Sequence, residues 1–150
     1  MVNSGGVVPD GNGILKGSQS RGYRNNNPLN IRYSASNAWK GQIGYDDNKF
    51  AKFDSVVNGL RAAYINLRTY YNGKKLRTIR QIIYTWAPVA DNNPHNENYV
   101  NHVASVAGVN SGTELSFNFE TYSKIVKAMS QFESNYTPTD SELKQAWDKI

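Results

Sequence analysis

The chain has 150 residues, 17 Lys plus Arg against 12 Asp plus Glu, a net charge of +5 and a pI near 9.4. That length suits one domain with its own core, and 10 Tyr, 5 Phe and 3 Trp are too many aromatics for an acidic disordered chain. The absence of cysteine excludes disulfides, thiolate nucleophiles and thiolate metal sites; two histidines, His95 and His102, exclude a His-rich metal centre and leave few partners for a Ser–His pair.

In chain order, residues 1–20 are rich in Gly, Ser and Asn and read as a flexible arm with a turn at "PDGNG". The arm lacks the basic and apolar regions of a signal peptide, and no apolar run reaches membrane-spanning length. Residues 21–50 show little helical period and predict loops with short strands. A helix follows from an Asp54 cap, with Val56, Val57, Leu60, Ala63, Tyr64, Leu67, Tyr70 and Tyr71 at spacings of three and four and Gly73 as its end. A second runs from Thr78 through Ile79, Ile82, Ile83 and Trp86 to a stop at Pro88. A third starts at Asn93-Pro94, carries Tyr99, Val100 and Val103, and closes at Gly108. A fourth spans 118–134 with Tyr122, Ile125, Val126, Met129 and Phe132 on one side, and a fifth covers 140–149. The class is mainly α, with α+β open for the N-terminal third.

Carboxylates are scarce: before residue 91 there are only Asp10, Asp46, Asp47 and Asp54, and the first Glu is Glu97. Glu133 stands out. Met129, Val126 and Ile125 precede it by four, seven and eight positions, which puts it at the edge of the buried stripe in the last turn of its helix. Burial and the negative end of the helix dipole both disfavour its charged form. A carboxyl kept protonated near neutrality is what a general acid for glycoside cleavage needs. The alternative places Glu133 just outside the stripe, facing water. The segment "GYRNNNPLNIRY", residues 22–33, raises a second question, because it is crowded with amides and guanidiniums but has no period. Asn25, Asn26, Asn27, Asn30 and Arg32, with Tyr23, Tyr33 and Trp39, are suited to a groove for a polar polymer; asparagines also make turns and cap backbone groups.

The set "RNNNPLNIRY", Trp39-Lys40-Gly41, "FAKFDS", Gly59 to Ala62, "WAP" and "NENYVNHVASVAGV" resembles a family of phage and bacterial virion proteins related to lysozyme-like cell-wall hydrolases, over residues 21–134. Similar glucosaminidases and lytic transglycosylases carry a catalytic Glu at a helix end, in a context like "ALESG", followed by an Asn-rich loop and Trp-x-Gly. Here the loop comes first and "AMSQFESN" last, as if the order were permuted. Asn135 replaces the usual Gly, and Phe132 stands where many members have His.

The resemblance implies a lysozyme-like single domain over 21–150, with a circular permutation of its sequence order left open. It implies cleavage of bacterial peptidoglycan with Glu133 as acid, Tyr99 beside it, and Asn27, Asn30, Arg32, Trp39 and Asp91 as glycan ligands. Asp46, Asp47 and Asp91 are the carboxylates open to a second catalytic role, and a transglycosylase needs none of them. It also implies a phage-encoded monomer acting from the host cytoplasm on the wall or carried in the virion, with no cofactor, metal, nucleic acid or stable membrane insertion. The rival expectation is a non-catalytic wall-binding scaffold. The basic stretch "NGKKLRTIRQ" keeps a nucleic-acid reading open, although no nucleic-acid motif accompanies it.

Overall fold

The computed structural model of the chain describes residues 20–88 and 96–150. The arm expected for residues 1–20 lies outside the described residues except for Ser20, as do Asp91, His95 and the cap expected at Asn93. The described elements are α1 (Arg21–Arg24), β1 (Gln42–Tyr45), β2 (Ala51–Phe53), α2 (Val56–Gly73), α3 (Ile79–Trp86), α4 (Asn96–Ala107), α5 (Phe119–Ser134) and α6 (Asp140–Trp147). The fold is therefore mainly helical, with one small antiparallel hairpin. The one-turn helix α1 has too few residues to show a period in the sequence.

Local chemistry sets the helix ends. Thr78 and Thr139 close capping boxes with Gln81 and Glu142, and Asn118 caps α5 through Thr121 N–H. The cap of α2 is Ser55, one residue beyond the expected Asp54, because the Asp54 carboxylate accepts from the Asn58 amide at 2.8 Å instead. Gly108, at φ +72°, ends α4 in the left-handed region.

The apolar stripes of the helices meet in one core. α2 packs on α6 and α4 on α5, and Leu60, Ala63, Tyr64, Leu67, Val100, Val103, Ile125, Val126, Met129, Leu143 and Ala146 all lie in the common core. Trp147 closes one side through an edge contact with Tyr64 and tilted contacts with Phe117 and Phe119. The irregular segment at 25–31 is inserted between the hairpin, α2 and the end of α5. Two glycines permit that insertion. Gly41 turns the Trp39-Lys40-Gly41 corner at φ +79°, where a side chain would also strike Asn58. Gly59, inside α2, lies against the loop so closely that a Cβ would sit 2.0 Å from the Asn26 carbonyl oxygen.

Gly59→Ala therefore runs against helix propensity. Alanine inside a helix ordinarily gains about 1 kcal/mol over glycine, yet here we expect a loss of at least about 2 kcal/mol, because the clash is with backbone. Urea denaturation reads the sign directly; a stabilised variant contradicts the close approach.

Candidate active site

The loop is built first from its own asparagines. Asn27 is fully buried: its Nδ2 donates to the Ile31 and Ala51 carbonyls at 2.9 and 2.8 Å, and its Oδ1 accepts from Ile31 N–H at 2.9 Å. Both of its donors are used, so its place is in the loop framework and it offers no donor to a glycan. Asn25 donates to Asp46 Oδ2, and Asn26 donates to the Phe53 carbonyl. Asn30 differs. Its Nδ2 reaches across to the end of α5, donating to the Glu133 carbonyl at 3.1 Å and to Glu133 Oε1 at 3.2 Å. Ser134 Oγ adds a second clasp, donating to the Pro28 carbonyl at 2.6 Å.

Glu133 is only 1% exposed, which settles the two sequence alternatives in favour of burial. Burial raises its pKa from an ordinary 4.5 to about 7, while the Asn30 amide and the neighbouring Tyr99 hydroxyl pull the other way and offset only part of the rise. Tyr99 comes from α4 and is fully buried. Desolvation and the adjacent Glu133 carboxylate lift its hydroxyl well above the ordinary tyrosine range, and that hydroxyl makes no hydrogen bond of normal geometry. Phe132 stacks on the Tyr99 ring at 4.1 Å and holds it against the acid. Asn135 adopts φ 52°, ψ 35°, a left-handed helix stop that Asn tolerates better than other non-glycine residues, which accounts for its standing where similar sequences have Gly.

A cleft of about 220 Å³ opens beside this acid. Asn30, Ile31 and Arg32 line it from the loop, Asn37 from the following turn, Asn66 and Tyr70 from α2, and Trp86 from α3. Tyr70 and Trp86 meet edge to face at 5.9 Å, and the Trp86 indole donates to the Leu29 carbonyl. Arg32 is exposed, lies 4.3 Å over the Phe50 ring and donates to the Asn48 carbonyl. Of the residues expected from sequence, Asn30 and Arg32 reach the cleft. Glu133 and Tyr99 are not part of its lining, and Glu133 meets it through Asn30. Trp39 is half-buried against the core, away from the cleft lining, and Asp91 lies outside the described residues. Sequence reasoning missed Tyr70 and Asn66 as lining residues. Tyr70 was visible only as the last turn of an apolar stripe.

Asp46 and Glu97 are engaged elsewhere. Desolvation opposes ionisation of Asp46, but hydrogen bonds from Phe50 N–H, the Asn25 amide and Asn48 N–H, with Arg21 nearby, outweigh it and hold its pKa below the usual value. Glu97 is exposed, bound by Arg80 and Tyr84, and also lowered, first by the Arg80 hydrogen bond. Among the described residues no cluster of three or more His, Asp or Glu is placed to hold a metal.

No family model matches the chain. Over 133 residues it is 38% identical to Protein P5 of Pseudoalteromonas phage PM2, a match that covers 86% of this chain and 81% of that protein.

The raised pKa of Glu133 makes stability depend on pH in a defined direction. Below pH 4.5 the carboxyl is protonated in both folded and unfolded chains. Between 4.5 and about 7 the unfolded chain loses its proton first, so stability falls as pH rises, and the deficit is complete above 7. Glu133→Gln cannot ionise. It should match the wild type at pH 4 and exceed it by about 3 kcal/mol at pH 8. Urea midpoints at the two pH values test this; a difference that does not grow with pH rules it out.

Proposed function

The chain belongs to the family of Protein P5 of Pseudoalteromonas phage PM2, and on that premise we propose that it is a phage-encoded enzyme that cleaves the glycan strand of bacterial peptidoglycan. The observation that carries this reading is a single carboxyl, Glu133, whose pKa burial raises to about 7, bonded to Asn30 of a cleft whose described lining contains no carboxylate. That arrangement supports a transglycosylase rather than a hydrolase with two carboxylates. Glu133 donates its proton to the glycosidic oxygen as the C1–O bond breaks. The substrate's own C6 hydroxyl then attacks the oxocarbenium-like C1 and returns a proton to the Glu133 carboxylate. The product carries a 1,6-anhydro end and the acid is regenerated. Tyr99 limits the freedom of the carboxyl. Arg32 and the overall charge of +5 suit a polymer that bears carboxylates and phosphates. The fold in this reading is lysozyme-like, with its motif order permuted along the chain.

One observation favours a second reading. Glu133 is 1% exposed and does not itself line the cleft, which suits a glycan-binding virion scaffold without turnover. None of the described helices is long and apolar enough to cross a membrane.

Purified peptidoglycan incubated with the wild type and with Glu133→Gln separates these readings. Cleavage predicts soluble muropeptides with anhydro ends from the wild type and a loss of at least about 100-fold in the variant. Reducing ends would mean hydrolysis. If neither protein releases product but both sediment with the wall, the scaffold reading stands.

A further inference from the structure

The proposed chemistry leaves one problem open. The acid is not part of the cleft lining and the substrate would sit in the cleft. Asn30 is the residue between them. It lines the cleft, is only 7% exposed, and spends its Nδ2 on the Glu133 carbonyl and carboxylate. The carbonyl partner fixes the amide orientation, since only an N–H can face that oxygen. The Asn30 Oδ1 is therefore turned away from Glu133, and it is buried without a hydrogen-bond partner. An unpartnered buried acceptor is destabilising. The residue also stands at φ 53°, in the left-handed region. A cleft-lining residue with an unused acceptor is set up to be moved by a ligand donor.

We propose that Asn30 is a positioning residue that couples occupancy of the cleft to the acid: an N–H or O–H of a bound glycan engages Asn30 Oδ1 and draws the amide away from Glu133 Oε1, opening the acid to the cleft. The proposal rests on the glycan-cleavage reading for its ligand class. In the resting state the amide donates to the carboxylate and favours its ionised form. In the occupied state that donor is withdrawn and Glu133 holds its proton more tightly as substrate arrives. Among the described residues, the titratable groups facing the carboxyl are Tyr99 of α4 and, beyond it, Tyr70 of α2, which also lines the cleft. Neither changes charge near neutral pH, because burial raises both hydroxyls. Among the described residues facing the carboxyl, Asn30 is the group left to change the acid's environment.

The test is a titration of the Glu133 side-chain carboxyl by carbon-13 NMR, assigned by its loss in Glu133→Gln, with and without saturating chitotriose, in the wild type and in Asn30→Gly. Glycine accepts the left-handed backbone, and a thermal melt of the variant verifies folding. In the wild type, chitotriose should raise the midpoint by roughly one pH unit. In Asn30→Gly the midpoint should already be raised without ligand and should not move when ligand is added. Three results overturn the proposal: an unshifted midpoint in the ligand-free variant, a ligand shift that persists without Asn30, or no ligand shift in the wild type. The readout needs no turnover, so a protein that binds glycan but releases no product from peptidoglycan would defeat the cleavage reading and leave the coupling intact. Conversely, cleavage with anhydro products and no dependence of the midpoint on Asn30 would defeat the coupling alone.

Discussion

Burying an irregular segment creates a debt in hydrogen bonds, and the whole site depends on how residues 25–31 settle it. Helices and sheets satisfy their own backbone groups; a loop inserted into a core must find a partner for each one. Here the partners are side-chain amides and neighbouring elements. Asn27 bridges Ile31 and Ala51, Asn26 reaches Phe53, Ser134 takes the Pro28 carbonyl and Trp86 takes that of Leu29. Asparagine suits this task because a short side chain carries both donors and an acceptor and tolerates the left-handed backbone seen at Asn26 and Asn30. Once the loop is fixed, Pro28 and Asn30 fix the end of α5, and the end of α5 carries Glu133.

The energetics at Glu133 run opposite to those of the loop. Asn27 improves stability by completing its bonds, whereas Glu133 is a carboxylate buried with an amide and a tyrosine for company and no described cation beside it. For structure alone a glutamine would serve as well, since it keeps the oxygen that accepts from Asn30. A group that costs stability near neutral pH is the kind of local conflict expected where chemistry has been favoured over stability.

The helices were legible because their information is local. Five stripes at spacings of three and four appear as α2 to α6, and Thr78 could be read as a helix start from its immediate neighbours. The Asp54 cap failed by one residue because two oxygen-bearing side chains competed and Asn58 took the first of them. The loop was legible only as composition. Which asparagine braces the backbone and which faces a cleft depends on partners 24 to 103 positions away in the chain, as for Asn27 with Ala51 and Asn30 with Glu133. Asn27 and Asn30 look alike in sequence and differ entirely in availability. Glu133 was legible as a stripe-edge residue, but the sequence left its burial open, because a rotation of a few tens of degrees decides it.

The separation of Asn30 from Glu133 by 103 positions has a consequence for when the site exists. The carboxyl acquires its raised pKa only once the loop from the start of the described chain has closed over the last turn of α5. In any partly folded form with α4 and α5 paired but the loop undocked, water reaches Glu133 and its affinity for a proton falls toward that of an ordinary glutamate. The same reasoning applies to the Gly59 approach, which docks the loop on α2 from the other side. Order along the chain is then immaterial to the site: a loop that precedes its acid and a loop that follows it can form the same arrangement, provided that docking buries the carboxyl beside an amide whose residue lines a cleft.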